Sequence, residues 1–272
     1  KRYKGALIAE TVGAVSSIAL LNEMWYKNYP QTNLHLFNDS KEWLQLDKFG
    51  HATTAYYMGL SGIEIMRWSG VKGKKRSIIG GSLGLVYLTG VELLDGVSSQ
   101  WGFSLSDVAA NAGGSALVIG QDLLWEEQRV RLKISAHLTN YAQYRPNLLG
   151  SSFSELLLKD YNGQTIWLSG NIGSFLPEES KFPKWLNIAV GIGGEGMISG
   201  NENVPVFYKG NEISNDFDRY RQYYLSLDVD LSKIKTKRKW AKALFTTFGL
   251  LKIPFPTLEF FEKGTKFHPI YF

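Results

Sequence analysis

Cysteine is missing from all 272 residues. Its absence excludes disulfides, thiol catalysis and cysteine-ligated metal sites. It fits a reducing compartment, or a bacterial envelope protein that never needed a covalent staple. A lipoprotein needs an acylated cysteine at its mature N-terminus. The chain has none and begins at Lys1 rather than Met, so a processed or trimmed start is expected and the anchoring mode stays open.

Other absences narrow the function. There is no zinc-ligand spacing, no RRM aromatic set and no long basic arm, so no nucleic-acid partner is expected. The net charge of +5 is mild and gives weak attraction to anionic lipid or a phosphate-rich surface. No G-x-S-x-G, no H-E-x-x-H and no glycine-rich phosphate loop ahead of a helix occurs. "GIGGEG" at Gly191–Gly196 looks like a nucleotide loop, but no Lys-Ser/Thr follows it and no βαβ pattern surrounds it. No cofactor, metal or nucleotide is therefore assigned. Long uncharged runs are missing too: Phe49–Ile63 and Ser77–Val91 reach about 15 residues, where a clean membrane span needs about 18–20.

What is present is an apolar first half. Apolar residues make up 44% of the chain and aromatics 14%, which excludes a disordered polymer. The spacing predicts helices over Gly5–Tyr26, Asp47–Trp68, Ser77–Gly96 and Ser106–Trp125, all rich in Gly, Ala and Ser. Glycine weakens a helix in water by up to ~1 kcal/mol, so clusters such as Gly80-Gly81 and Gly113-Gly114 point to close helix–helix approach. Glu10, Glu64, Glu92 and Asp95 interrupt the apolar faces and need partners or water. A compact bundle, buried or membrane-associated, is expected rather than four independent spans.

After Trp125 the texture changes. In Arg129–Leu138, Val130, Leu132, Ile134 and Ala136 alternate with Arg131, Lys133, Ser135 and His137, a half-buried strand pattern. Tyr223–Ser232 alternates in the same way, Trp185–Ile198 reads as a glycine-rich strand or pair, and "TLEFF" and "KFHPIYF" are short strand candidates. Leu156–Ser169 is open between a hairpin at Asn162-Gly163 and a helix started by Ser152 or Ser154. Lys235–Leu251 reads as a basic amphipathic helix. It offers Lys237, Arg238, Trp240, Phe245 and Phe248 to a membrane interface or, alternatively, packs on its own sheet. About 140 residues would suffice for a barrel of ~8 strands ending on Phe272, but only five or six candidates are found and Pro269 interrupts the last.

Three polar groups punctuate the apolar half: "DKFGH" at Asp47–His51, "ELLDG" at Glu92–Gly96 and "WGFSLSDVAANAGG" at Trp101–Gly114. As an enzyme, Asp47, His51, Glu92, Asp95 and Asp107 would form a metal or acid/base site, with His51 as general base on a lipid ester or phosphate. As structure, Asp47 would be an N-cap and Ser104 with Asp107 a capping box. His51 would then bond Glu92 or Asp95 across the bundle. Caps and paired buried groups explain every member, so the structural reading is favoured. The cluster it predicts is Asp47, His51, Glu92, Asp95, Ser104, Asp107 and Asn111.

These motifs, in this order, resemble the YfiM-type family of envelope lipoproteins of unassigned activity and, more distantly, the VanZ-like membrane proteins. Asp47, Lys48 and His51, then Glu92 and Asp95, then Trp101, Ser104, Asp107, Asn111 and Gly114 carry the likeness, between Leu46 and Gln121. The resemblance implies a bacterial envelope protein at the outer membrane or the periplasmic face, and its long C-terminal region looks like that of Bacteroidota-type chains. It brings no catalytic residues.

The expected fold is therefore α+β: a helical bundle over residues 1–126, with a YfiM/VanZ-like core at about 46–121, and a mixed strand region over 127–272. The expected function is a non-enzymatic scaffold or accessory subunit that binds membrane lipid, an outer-membrane protein complex, or both. The alternative is a metal- or acid/base-dependent envelope enzyme acting on lipid or cell-wall substrates.

Overall fold

The computed structural model describes residues 2–27, 29–213, 217–238, 240–241, 244–245 and 248–272, without the side chains of 24, 25 and 211. The fold is α+β, helices first and antiparallel strands after. The chain divides into two compact units, residues 1–40 with 48–128 and residues 41–47 with 129–272. The short segment Lys41–Asp47 thus groups with the C-terminal unit, although an N-terminal bundle over residues 1–126 was expected to contain it.

The helical unit holds α1 (Arg2–Leu21), which runs into one π turn at Asn22–Tyr26, then α2 (Leu46–Trp68), α3 (Gly73–Gly81), α4 (Leu83–Gly96) and α5 (Leu105–Trp125). The single helix expected over Ser77–Gly96 is two helices. Ser82 divides them, and its hydroxyl donates to the Ile78 carbonyl at 2.7 Å, a local bond that competes with the helix ladder. α1 and the α3–α4 run are long and apolar enough to cross a membrane by length and composition, although charges interrupt them. α1 buries only Ala6 and leaves Ile8, Val12, Val15 and Leu20 exposed.

The glycines allow backbone-to-backbone contact. A Cβ on Gly62 of α2 would lie 2.3 Å from the Gly80 carbonyl oxygen of α3, and one on Gly114 of α5 would lie 2.0 Å from the Ala52 oxygen of α2. No side chain fits at those distances, so α2 is the central rod against which the others close.

The C-terminal unit is built on one antiparallel sheet. Its strands are β1 (Val130–Ala136), β2 (Gln164–Asn171), β3 (Leu186–Glu195), β6 (Tyr220–Val229), β7 (Phe255–Phe261) and β8 (Gly264–Tyr271), side by side in that order. β4 (Phe207–Tyr208) and β5 (Asn211–Glu212) form a separate small ribbon. The ambiguous stretch before β2 resolves as helix then strand. The short α6 (Pro146–Leu149) is followed by α7 (Phe153–Lys159), which Ser152 caps through the Glu155 N–H, and a 3-10 turn at Tyr161–Gly163 leads into β2. At the sheet's centre Trp167 lies over Gly191, its register partner, where a Cβ would stand 2.7 Å from the indole. Tyr224 and Tyr271 complete the buried apolar patch.

Around that patch the buried side of the sheet is polar. Lys133 Nζ lies 2.7 Å from Asp228 Oδ2, both side chains fully inside. Ser169 donates to the same carboxylate, Asn187 to Ser169, and Asn171 to Asn187. The alternation read from sequence is present in β1 and β6, but the polar side of both strands is the one turned inward.

Of the basic helix expected over Lys235–Leu251, residues 240, 241, 244 and 245 are helical, Lys235–Arg238 are not and Phe248–Leu250 form a 3-10 turn; residues 239, 242, 243, 246 and 247 lie outside those described. Ahead of α2, Trp43, Leu44 and Gln45 hold φ angles of 51°, 50° and 67°, a left-handed run that costs non-glycine residues roughly 1–2 kcal/mol each. The Trp43 N–H donates to Gly200, and Arg221 donates to the Gln45 side chain.

Adjacent glycines of α5 should respond with opposite signs. Gly114→Ala is expected to destabilise by about 1–3 kcal/mol through overpacking. Gly113→Ala, with nothing within 4 Å of its Cβ position, should be neutral or stabilising by up to ~1 kcal/mol. Urea unfolding of the two variants checks this.

Candidate functional site

The polar groups of the helical unit meet where α2 begins and α4 ends. Ser104 precedes α5 in extended backbone, and its Oγ accepts the Asp107 N–H at 3.1 Å, a helix N-cap. The same hydroxyl donates to Asp39 Oδ1 at 2.6 Å, and Ser106 donates to that oxygen at 2.8 Å. Glu92, near the end of α4, accepts the Ser104 N–H at 3.2 Å. The Lys48 ammonium stands between two carboxylates, 2.7 Å from Asp39 and 2.7 Å from Asp107.

His51 sits one turn further along α2. Its Nδ1 lies 3.2 Å from Asn111 Oδ1 and 3.9 Å from Glu92, and its Nε2 lies 3.9 Å from Asp107. Glu92, Ser104, Asp107 and Asn111 are at most 4% exposed, and the imidazole is 21% exposed.

Burial shapes the titration of this group. It acts first to raise the Asp39 carboxyl. The hydrogen bonds from Lys48 and Ser104 outweigh it and hold Asp39 well below the usual carboxylate range. At Glu92 burial prevails. With the Asp107 charge adding to it, and His51 and the Ser104 N–H opposing, the carboxyl is pushed up to about 7.

Of the residues singled out from sequence, His51, Glu92, Ser104, Asp107 and Asn111 come together. Asp95 accepts the Tyr26 hydroxyl at 2.7 Å, and its charge adds to the upward push on Glu92. Asp47 is not an N-cap, because α2 begins at Leu46 and places it inside the first turn. Its carboxylate accepts the Tyr161 hydroxyl at 2.8 Å. Among the interface candidates, Lys237 and Arg238 are exposed, as are Trp240 and Phe248, and Arg238 lies over the Trp240 ring at 5.9 Å. Phe245 is half-buried.

Asp39 and its role were not anticipated; a lone "NDS" in a loop carries no periodic signal. A second buried network was also missed. Asp122 near the end of α5 accepts Arg76 at 2.9 Å, Ser77 at 2.6 Å and Arg67 at 3.2 Å. The acid inside "VIGQDLLW", set against the basic "KGKKR" run, was the available clue.

Chemically, His51, Glu92 and Asp107 offer one imidazole and two carboxylates, donor types suited to proton transfer or a divalent cation. Lys48 already supplies the countercharge at Asp107, and the His51 ring already bonds Asn111. The ligand oxygens a metal would need are thus partly engaged.

This is the polar core of an envelope protein. Residues 35–120, about a third of the chain, match a family described as predicted periplasmic lipoprotein (DUF2279), and the whole Asp39–Lys48–His51–Glu92–Ser104–Asp107–Asn111 cluster falls inside that stretch. The match places the chain in the bacterial cell envelope, at its periplasmic face. No curated protein and no solved structure matches it.

Glu92 sets a pH dependence. Its pKa rises from 4.5 unfolded to about 7 folded, so the folded state holds this proton more tightly. The stabilisation is complete below about 4.5 and is lost as pH rises through about 7. The stability of the native protein relative to Glu92→Gln should therefore fall across that window. Urea midpoints of both proteins measured from pH 4 to 8 check it; a constant difference would refute the assignment.

Proposed function

We propose that this chain is a non-enzymatic envelope protein, a scaffold or accessory subunit that binds membrane lipid, an outer-membrane protein complex, or both. The observation that carries the reading is the mutual engagement of the cluster's polar groups. Lys48 pairs with Asp39 and Asp107 at 2.7 Å each, Ser104 caps α5, and His51 bonds Asn111. Groups committed to one another in this way lock helices together. The YfiM-type and distant VanZ-like likeness belongs to this reading, as does the outer membrane as the particular site within the envelope. Exposed Trp240 and Phe248 beside Lys237 and Arg238 support contact with a lipid surface.

Removing one member of a buried ion pair costs about 3–5 kcal/mol, and losing an N-cap ~0.5–2 kcal/mol. Lys48→Met should therefore be severely destabilised and Ser104→Ala mildly so. His51→Ala and Asp107→Asn should lose stability, and should lose partners only in proportion to unfolding. Native purification from membranes, with co-purifying proteins identified and metal content measured for each variant, tests this. A stoichiometric divalent metal that leaves with His51→Ala would replace the scaffold with an enzyme. So would a folded, partner-competent variant that lacks an activity.

A further inference from the structure

A sheet that packs in water buries its apolar face. The six-stranded sheet here does the reverse outside the small buried patch of Trp167, Ala189, Tyr224 and Tyr271. Lys133, Ser169, Asn187, Ser226 and Asp228 point inward and are at most 5% exposed. Leu168, Ile188, Val190, Leu225, Leu227 and Phe260 point outward and are 38–51% exposed. We propose that this outward face lies against the acyl chains of a bilayer, the strands forming a curled wall with a polar interior. The proposal rests on the reading above only for its envelope setting and membrane contact, and does not depend on the role of His51.

Three observations select hydrocarbon as the occupant. Apolar-out, polar-in alternation with period two is the pattern of strands solvated by lipid. Here it is anchored by an ammonium–carboxylate pair, Lys133 with Asp228, fully inside. Secondly, the outward positions of β1, β2, β3, β6 and β7 carry a single charge, Arg221. It stands near the end of β6, where it donates to Gln45. A face for a folded protein partner would carry a polar rim around an apolar centre; this one stays apolar from strand to strand. Thirdly, the two central strands are long enough, while β1, β2, β7 and β8 have 7 or 8 residues. β3 and β6 have 10 residues each, and a tilted strand needs about 9–11 to cross the hydrocarbon layer.

The sheet also curls in the required sense. Tyr271 of β8 reaches Thr165 of β2 at 2.9 Å, although β3, β6 and β7 lie between those strands. Its ring stands 6.0 Å from Trp167. The edge of β1 is met by the Lys252 N–H, which donates to Ile134 at 2.9 Å. Unpaired backbone is costly in lipid, and these contacts reduce it.

The lack of cysteine allows a direct test. Single variants Ile188→Cys, Val190→Cys and Leu225→Cys on the outward face, Ser169→Cys inward and Lys181→Cys in the loop before β3 would carry a nitroxide label. The full chain would be reconstituted into vesicles of phosphatidylethanolamine and phosphatidylglycerol. Collision rates with oxygen, which partitions into lipid, and with a water-soluble nickel chelate are then measured. The outward labels should favour oxygen over nickel several-fold, Lys181→Cys should favour nickel, and Ser169→Cys should be shielded from both. Three outward positions guard against the misfolding of any one. Nickel access at the outward positions matching that at Lys181→Cys would overturn the proposal. So would shielding from both reagents, which marks a protein partner or second copy, or failure of the chain to enter vesicles. Each of these leaves the His51→Ala result of the preceding section standing.

Discussion

Carboxylates at Asp39, Glu92 and Asp107 share a space that excludes most water, and the helical unit depends on the one ammonium placed among them. Lys48 reaches that space because it lies in the first turns of α2, the rod on which α3, α4 and α5 close through glycine contacts. Unpaired charges in such a site would be costly. With Lys48 in place, Asp39 remains ionised and can accept two serine hydroxyls, one of which also caps α5. Glu92, which lacks an ammonium of its own, answers the same constraint by holding its proton to higher pH. Close packing and charge pairing are thus one requirement seen from two sides.

The C-terminal unit solves a related problem with different parts. Its buried cation, Lys133, meets Asp228 across strands far apart in sequence, and a chain of Ser169, Asn187 and Asn171 extends the pairing. Both units therefore carry polar interiors in which buried charges meet partners from distant parts of the chain. Such interiors specify geometry as much as they stabilise it.

Much of this was legible in the sequence. Helical periodicity located the apolar helices to within a few residues, and Ser104 with Asp107 announced the cap of α5. The strands from Val130 and Tyr223 were visible as alternation, and the one from Trp185 as a glycine-rich run. What alternation cannot reveal is which side faces inward; Val130, Leu132 and Ile134 would ordinarily be taken for the core. Asp39 was hidden because its partners at Ser104 and Ser106 are more than sixty residues away and no pattern links them. Asp47 was misplaced by two residues, enough to turn a supposed cap into a first-turn acid bonded to Tyr161. The break at Ser82 escaped notice because serine is tolerated in helices until its hydroxyl bonds back to the preceding turn. Gly113 and Gly114 read alike, yet only one meets the backbone of another helix.

The inverted sheet has a consequence for how the chain acquires its shape. Hydrophobic collapse in water gathers apolar side chains and leaves polar ones outside, the opposite of what Lys133, Asp228 and their neighbours require. Water therefore offers this sheet little driving force and exposes sticky strands while it waits. Where the surroundings are themselves apolar, the same alternation becomes the arrangement of lowest free energy, because backbone and buried polar groups have only each other to bond. Folding and arrival at the final location would then be a single event, with a helper needed to keep the strands apart until that point.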